Sequence, residues 1–150
     1  MKFFLLAFLV ILPFALSAQE AKTGCIYGNC VKGEGIYVYA NGYTYEGNFI
    51  NSEREGRGIL KAPDGGWYDG MWAGDEFQGQ GTYSWPDGTK YIGAWEKGLQ
   101  NGYGIYFYTN GDKYTGYFKD NKFEGEGKYT FADGTVQSGI FREGELVSEK

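Results

Sequence analysis

The chain contains no histidine, and this absence removes the side chain that most often serves as a catalytic base or metal ligand. A serine–histidine–aspartate triad therefore cannot be assembled. The two cysteines would leave a zinc site incomplete, because zinc usually takes four protein ligands. The composition predicts a protein that is not an enzyme, with no catalytic residue, no metal and no cofactor.

Positive charge is also in short supply. The 14 basic residues are outnumbered by 19 acidic ones, which gives a formal net charge of −5. Affinity for nucleic acid rests largely on neutralising phosphates, and anionic lipid attracts basic segments. The charge balance therefore excludes nucleic acid as a partner and disfavours contact with a membrane surface.

Only one stretch is strongly apolar, and it lies at the N-terminus. Met1-Lys2 is followed by the apolar run 3–12, by Pro13 and by the small-residue run 15–18. The run is shorter than the roughly 20 residues that span a bilayer. These features predict a signal peptide over 1–18 and export to the periplasm or the outside of the cell, with cleavage after Ala18 preferred over Ser17. Its removal takes away one lysine and no acid.

The two cysteines, Cys25 and Cys30, follow this segment closely. In an exported chain they can be oxidised to a disulfide, which would close a short loop and contribute about 2 kcal/mol. Lipidation of Cys25 is the alternative, but this residue lies well beyond the apolar run, unlike the cysteine of a lipoprotein signal.

Glycine, by contrast, is abundant, with 26 residues, and it recurs at a fixed interval. Four glycine series each advance in steps of 23 residues with no insertion. They are 24, 47, 70, 93, 116, 139; then 33, 56, 79, 102, 125; then 35, 58, 81, 104, 127; and 42, 65, 88, 111, 134, the last series always preceded by Asn or Asp.

Aromatic residues keep the same 23-residue interval. Spacing of two residues puts Tyr91, Gly93 and Trp95 on one face of a strand. The Asn-Gly and Asp-Gly pairs are strong hairpin signals. A second connection carries Ser52, Asp75, Gly98, Asn121 or Gly144, where Gly and Asn tolerate positive φ. Each repeat is therefore predicted to be a hairpin of two short strands.

The glycines are predicted to lie beneath aromatic rings. Glycine in a strand costs roughly 0.5–1 kcal/mol relative to alanine, so its regular use needs a compensating contact. Antiparallel pairing within one repeat would set Trp95 opposite Gly102, Gly93 opposite Gly104 and Tyr91 opposite Tyr106. Across the next turn it would set Tyr106 opposite Gly116 and Phe118 opposite Gly104.

This pattern, Tyr-x-Gly-x-Trp/Phe, then Gly-x-Gly-x-Tyr, then Asn/Asp-Gly, resembles the MORN (membrane occupation and recognition nexus) repeat over about Gly24 to Gly144. The pattern and the resemblance together predict an all-β, single-layer, curled antiparallel meander of tandem 23-residue hairpins. The resemblance implies a role in protein association, dimerisation or lipid contact, and no chemistry. The predicted boundaries are a signal peptide at 1–18, an N-terminal cap at 19–32 with the cysteine loop, the repeat ribbon at 33–144 and a tail at 145–150.

Two surfaces are candidates for binding. The first, the aromatic trough, is the face that carries the repeated rings; its candidate residues are Trp72, Tyr83, Trp85, Tyr91, Trp95, Tyr106 and Tyr108. The second, the outer patch, lies on the opposite face, which is polar in most repeats; it consists of Ile92, Tyr103, Ile105, Phe107 and Tyr117.

The predicted function is that of an exported interaction or scaffold module that binds another protein or a second copy of itself. Carbohydrate or cell-wall binding through the aromatic trough is an alternative, because flat rings suit sugar faces. Contact with a lipid surface is a further alternative, which would need a local basic cluster on this acidic chain.

Overall fold

A computed structural model describes residues 23–150; the predicted signal peptide lies outside the described residues. The described chain forms one open sheet of twelve strands in sequential order, each antiparallel to the next, with no helix. This confirms the predicted all-β meander. The strands are β1 (Gly24–Gly28), β2 (Lys32–Val38), β3 (Thr44–Ile50), β4 (Glu53–Lys61), β5 (Trp67–Ala73), β6 (Glu76–Ser84), β7 (Lys90–Glu96), β8 (Leu99–Phe107), β9 (Lys113–Lys119), β10 (Lys122–Thr130), β11 (Val136–Arg142) and β12 (Glu145–Glu149).

The connection within each repeat is a tight two-residue turn. Between β7 and β8, Lys97 and Gly98 have φ of 50° and 79°, the left-handed pair that a type I′ turn requires. The Gly98 N–H donates to the carbonyl of Phe77 in the preceding repeat at 3.0 Å. The same bond recurs at all five such turns, at 2.9–3.2 Å. It ties each hairpin to its neighbour and so fixes the turn's position.

In each Asn-Gly or Asp-Gly connection, three residues form the turn, and one residue on each side continues the backbone pairing beyond the end of its strand. In the loop from β8 to β9, the Tyr108 N–H donates to the Asp112 carbonyl at 2.9 Å, and Gly111 adopts φ of 93°. This geometry matches a type I turn closed by a glycine bulge. It pairs Tyr106 with Tyr114 and Gly104 with Gly116. The predicted pairing across this loop was therefore wrong by two residues.

Within a repeat the pairing is interrupted by a β-bulge. Tyr91 pairs with Tyr106 and Gly93 with Gly104, as predicted, but Trp95 pairs with Gln100 instead of Gly102. Gly102, with φ of 106°, lies in the bulged segment. The first glycine of each Gly-x-Gly pair thus supplies a backbone angle, and the second lies under a tyrosine ring in the four pairs that end at Gly58, Gly81, Gly104 and Gly127.

That second glycine makes room for a tyrosine. A Cβ built on Gly104 would lie 2.5 Å from the Tyr91 ring and hydroxyl. The ring crosses the strand pair here, and its hydroxyl donates to the Ala94 carbonyl at 2.9 Å. The equivalent rings in the other repeats are just as fully buried; the four are Tyr45, Tyr68, Tyr91 and Tyr114. The rings form a core on one face of the sheet, and residues 23–150 contribute no second layer of secondary structure over it.

Both ends of the ribbon extend the sheet further than predicted. The segment 145–150, predicted as a tail, contributes β12, which pairs with β11. The N-terminal cap contributes β1, which pairs with β2. Cys25 and Cys30 form a disulfide, and Cys30 is buried against the end of the core. The short loop between them is thereby fixed beside the first strand.

Candidate functional site

The aromatic trough divides into a buried and an accessible part. Trp72, Tyr91 and Trp95 are at most 5% exposed and belong to the core, so they offer little ring surface to a partner. The indole N–H groups of Trp72 and Trp95 donate to the carbonyls of Gly58 and Gly81 at 3.1 and 3.2 Å. The half-buried candidates are Tyr83, Trp85, Tyr106 and Tyr108.

These four half-buried residues form a continuous row of rings. The centroids of Tyr83 and Trp85 lie 4.6 Å apart, and the Tyr106 ring follows Trp85 at 5.5 Å. Beyond Tyr108 the row continues through Tyr129 and Phe131, with steps of 5.8 and 4.8 Å. The last two were not among the predicted residues, although they stand 23 residues after Tyr106 and Tyr108. The repeat interval was the signal that could have found them.

The hydroxyls along this row are neutral at ordinary pH. Burial raises the pKa of Tyr83, Tyr106 and Tyr108. Burial, together with the hydrogen bond to Asp112, raises the pKa of Tyr129 to about 12. Each hydroxyl therefore keeps its proton and offers a hydrogen bond instead of a nucleophile.

The outer patch is brought together by three adjacent strands. Ile92 on β7 pairs with Ile105 on β8, and Tyr103 on β8 pairs with Tyr117 on β9. The rings of Tyr103 and Tyr117 meet edge to face at 5.4 Å. Ile92, Tyr103 and Tyr117 are 42%, 55% and 52% exposed. Sequence spacing placed all five patch residues on one face, and the pairing makes them neighbours.

Basic side chains flank this patch. Phe107 is paired with Lys90 on one side and with Lys113 on the other. Lys128 lies beyond Ile105, opposite Thr115 on the neighbouring strand. Lysines thus lie at the Phe107 end of the apolar patch, a local feature that the net charge did not reveal, while Glu126 lies beside Tyr103 and Tyr117 at the other end.

The rest of the described chain offers little for chemistry. No group of three or more Cys, Asp or Glu side chains in residues 23–150 is arranged to hold a metal ion. Over the same residues, no helix has the length and apolar character to cross a membrane. Asp87 and Asp133 lie in two of the Asp-Gly loops, and hydrogen bonds from Thr89 and Thr135 lower the pKa of their carboxyls. These hydrogen bonds stabilise the loops.

Comparison with protein families places this geometry among known repeats. The family model of the MORN repeat matches five segments: 32–42, 45–67, 68–90, 91–113 and 114–136. The matches step through the chain in the 23-residue interval and cover more than half of it, which confirms the resemblance found in the sequence. None of the curated proteins matches the chain.

Proposed function

We propose, because this chain belongs to the MORN repeat family, that it is a non-enzymatic interaction module that binds another protein through the outer patch. MORN repeats are protein- and membrane-interaction modules. The observation that carries the proposal is the exposed cluster of Ile92, Tyr103 and Tyr117 on the face of the sheet opposite the aromatic core. Contiguous exposed apolar surface with a polar rim is typical of a contact site.

The charges around the patch indicate the kind of partner. Lys90 and Lys113 both flank Phe107, so a partner with acidic side chains beside an apolar centre would be complementary. We therefore take a different protein as the partner, and the oligomeric state of the isolated chain distinguishes it from a second copy.

The proposal predicts that Ile105→Ser with Phe107→Ser removes binding and leaves the fold intact. Both side chains are on the outer face and contribute nothing to the buried aromatic core. The matched control is Ile59→Ser with Lys61→Ser, which occupies the same two places two repeats earlier. Affinity capture from the native cells should recover a partner with the wild type and the control, and at least about 10-fold less with the patch variant.

Light scattering after gel filtration measures self-association of the same three proteins. Equal capture by the patch variant and the wild type would remove the outer patch as the binding surface. A wild-type dimer that the patch variant alone abolishes would show that the partner is a second copy.

A membrane surface is a second candidate for the same patch, favoured by the lysines beside apolar and aromatic side chains. Such a combination attracts anionic lipid headgroups. Flotation with vesicles containing phosphatidylserine or phosphatidylglycerol separates the two candidates. Lipid binding predicts flotation of the wild type that salt reverses; a protein partner predicts that the chain stays at the bottom of the gradient.

Export is part of the proposal and is supported by the predicted signal peptide and by the Cys25–Cys30 disulfide, since such bonds persist in oxidising compartments. We predict that the protein isolated from its native cells begins at Gln19, with Ala18 as the competing first residue, and has no free thiol. Intact mass with and without reduction and alkylation measures both. A full-length chain with two free thiols would contradict export.

A further inference from the structure

One position in the aromatic trough varies from repeat to repeat and holds Arg54, Phe77, Gln100, Phe123 and Leu146. Phe77 and Phe123 occupy equivalent places in two repeats, and their rings stack on Tyr68 and Tyr114 with centroids 3.8 and 3.7 Å apart. The equivalent residue between them, 23 positions from each, is Gln100. Tyr91 therefore has no stacked phenyl ring, and a smaller polar side chain lies where the neighbouring repeats place a phenylalanine.

The Gln100 side chain is largely buried, and its amide makes no hydrogen bond to the described residues. The residue is 5% exposed, and both of its backbone groups bond to Asn121: the N–H donates to the side-chain oxygen at 2.9 Å, and the carbonyl accepts from the backbone N–H at 3.1 Å. Among the described residues, the Thr130 hydroxyl alone is a fully enclosed side-chain group without a partner. The Gln100 amide must therefore reach accessible space.

The accessible space is a shallow, open cleft of about 390 Å³, comparable in volume with small-molecule sites. Its walls are rings, and its polar groups are the side-chain amides of Gln100 and Asn121 and the hydroxyls of Tyr83 and Tyr106. Among residues 23–150, no charged side chain lines it. The lining residues are Phe77, Tyr83, Trp85, Trp95, Gly98, Gln100, Tyr106 and Asn121. We call this cleft the Gln100 notch.

The chemistry of the lining selects among ligands. A charged group would enter without a counterion and would lose its hydration. An apolar side chain of a protein would leave the Gln100 amide without a partner. A sugar ring satisfies both conditions, because its C–H face packs on aromatic rings while its hydroxyls bond to amides.

We propose that the Gln100 notch binds a ring of a neutral carbohydrate, a site separate from the outer patch and on the opposite face of the sheet. The row of rings from Tyr106 through Tyr108 to Tyr129 continues away from the notch at steps of 4.8 and 5.8 Å. These rings offer further stacking surfaces to the next sugars of a chain. The notch should therefore bind an oligosaccharide more tightly than a single sugar.

The test is a fluorescence titration of the full disulfide-bonded chain, since Trp85 and Trp95 line the notch. The probes are cellohexaose, maltohexaose and chitohexaose, with their monosaccharides, a charged oligogalacturonate and a proline-rich peptide for comparison. At least one neutral hexasaccharide should give a saturable shift, with weaker binding of its monosaccharide. Gln100→Phe should fold, because the neighbouring repeats accept phenylalanine there, and should weaken binding about 10-fold or more.

The outer-patch variant Ile105→Ser with Phe107→Ser is the matched control and should bind sugar like the wild type. The proposal is overturned if none of the three hexasaccharides gives a saturable shift, or if Gln100→Phe binds as well as the wild type. It is also overturned if the peptide or the charged oligosaccharide binds in preference to the neutral ones.

Discussion

Replacing Gly104 with alanine is expected to lower the free energy of unfolding by about 3 kcal/mol, the upper range for overpacking of a tight core. The added Cβ would lie 2.5 Å from the Tyr91 ring and hydroxyl. That ring is fully buried, and its hydroxyl is held by the Ala94 carbonyl, so it cannot move aside cheaply. Urea unfolding followed by tryptophan fluorescence and circular dichroism measures the loss.

Gly134→Ala is the matched control for this change. Gly134 has φ of 88°, but a Cβ there would meet nothing within 4 Å, so only the backbone preference is lost, about 1 kcal/mol. In the double variant Tyr91→Leu with Gly104→Ala, the clash disappears together with the ring. The loss of stability in the double variant should therefore be smaller than the sum of the losses in the two single variants by at least about 1 kcal/mol. Additive losses would mean that ring and glycine do not depend on each other.

Alkaline pH is expected to unfold the ribbon steeply. Burial raises the pKa of Tyr45, Tyr68 and Tyr91, and it raises that of Tyr114 to about 12. The tyrosines of an unfolded chain ionise near pH 10. Above that pH the unfolded chain releases protons that the folded chain retains, which favours the unfolded chain. The contribution of these four tyrosines to the free energy of unfolding is therefore fully present below pH 10 and is lost as the pH rises above it. Each can contribute a slope of up to about 1.4 kcal/mol per pH unit.

The measurement is the free energy of unfolding in urea between pH 7 and pH 12, for the wild type and Tyr91→Phe. The variant is expected to be less stable at neutral pH, because the Ala94 carbonyl loses its donor, but its stability should fall less steeply above pH 10. Lysine ionisation affects both proteins alike and cancels in the comparison. Parallel curves would show that Tyr91 does not keep its proton in the folded chain.

The regular spacing made most of the fold predictable. Glycines in steps of 23 residues indicated tandem hairpins, and residues such as Gly98 and Asn121 marked the tight turns correctly. Pairing was harder to predict. The bulge at Gly102 leaves one strand of the pair with a residue that has no direct partner in the other. A prediction based on side chains that alternate between the two faces assumes that every residue is paired, so it misses the bulge.

The candidate site was predictable in part, and the limit was burial. Trp72 and Trp85 look alike in the sequence, yet the first is in the core and the second is half-buried, because they stand at different places in the repeat. The outer patch was easier to find, since an apolar residue such as Phe107 contrasts with Ser84 and Thr130 in the same place. Gln100 contrasts in the same way with Phe77 and Phe123, although Arg54 and Leu146 at the same place made that contrast weaker in the sequence.

The central claim is that this ribbon acts by contact through the outer patch of its fourth repeat. Site-specific photocrosslinking in the native cells tests it most directly, with benzoylphenylalanine placed at Phe107 and, as controls, at the equivalent Ser84 and Thr130. The account predicts one discrete protein adduct from position 107 and none from the two controls. No adduct at position 107, or the same adducts from all three positions, would contradict it.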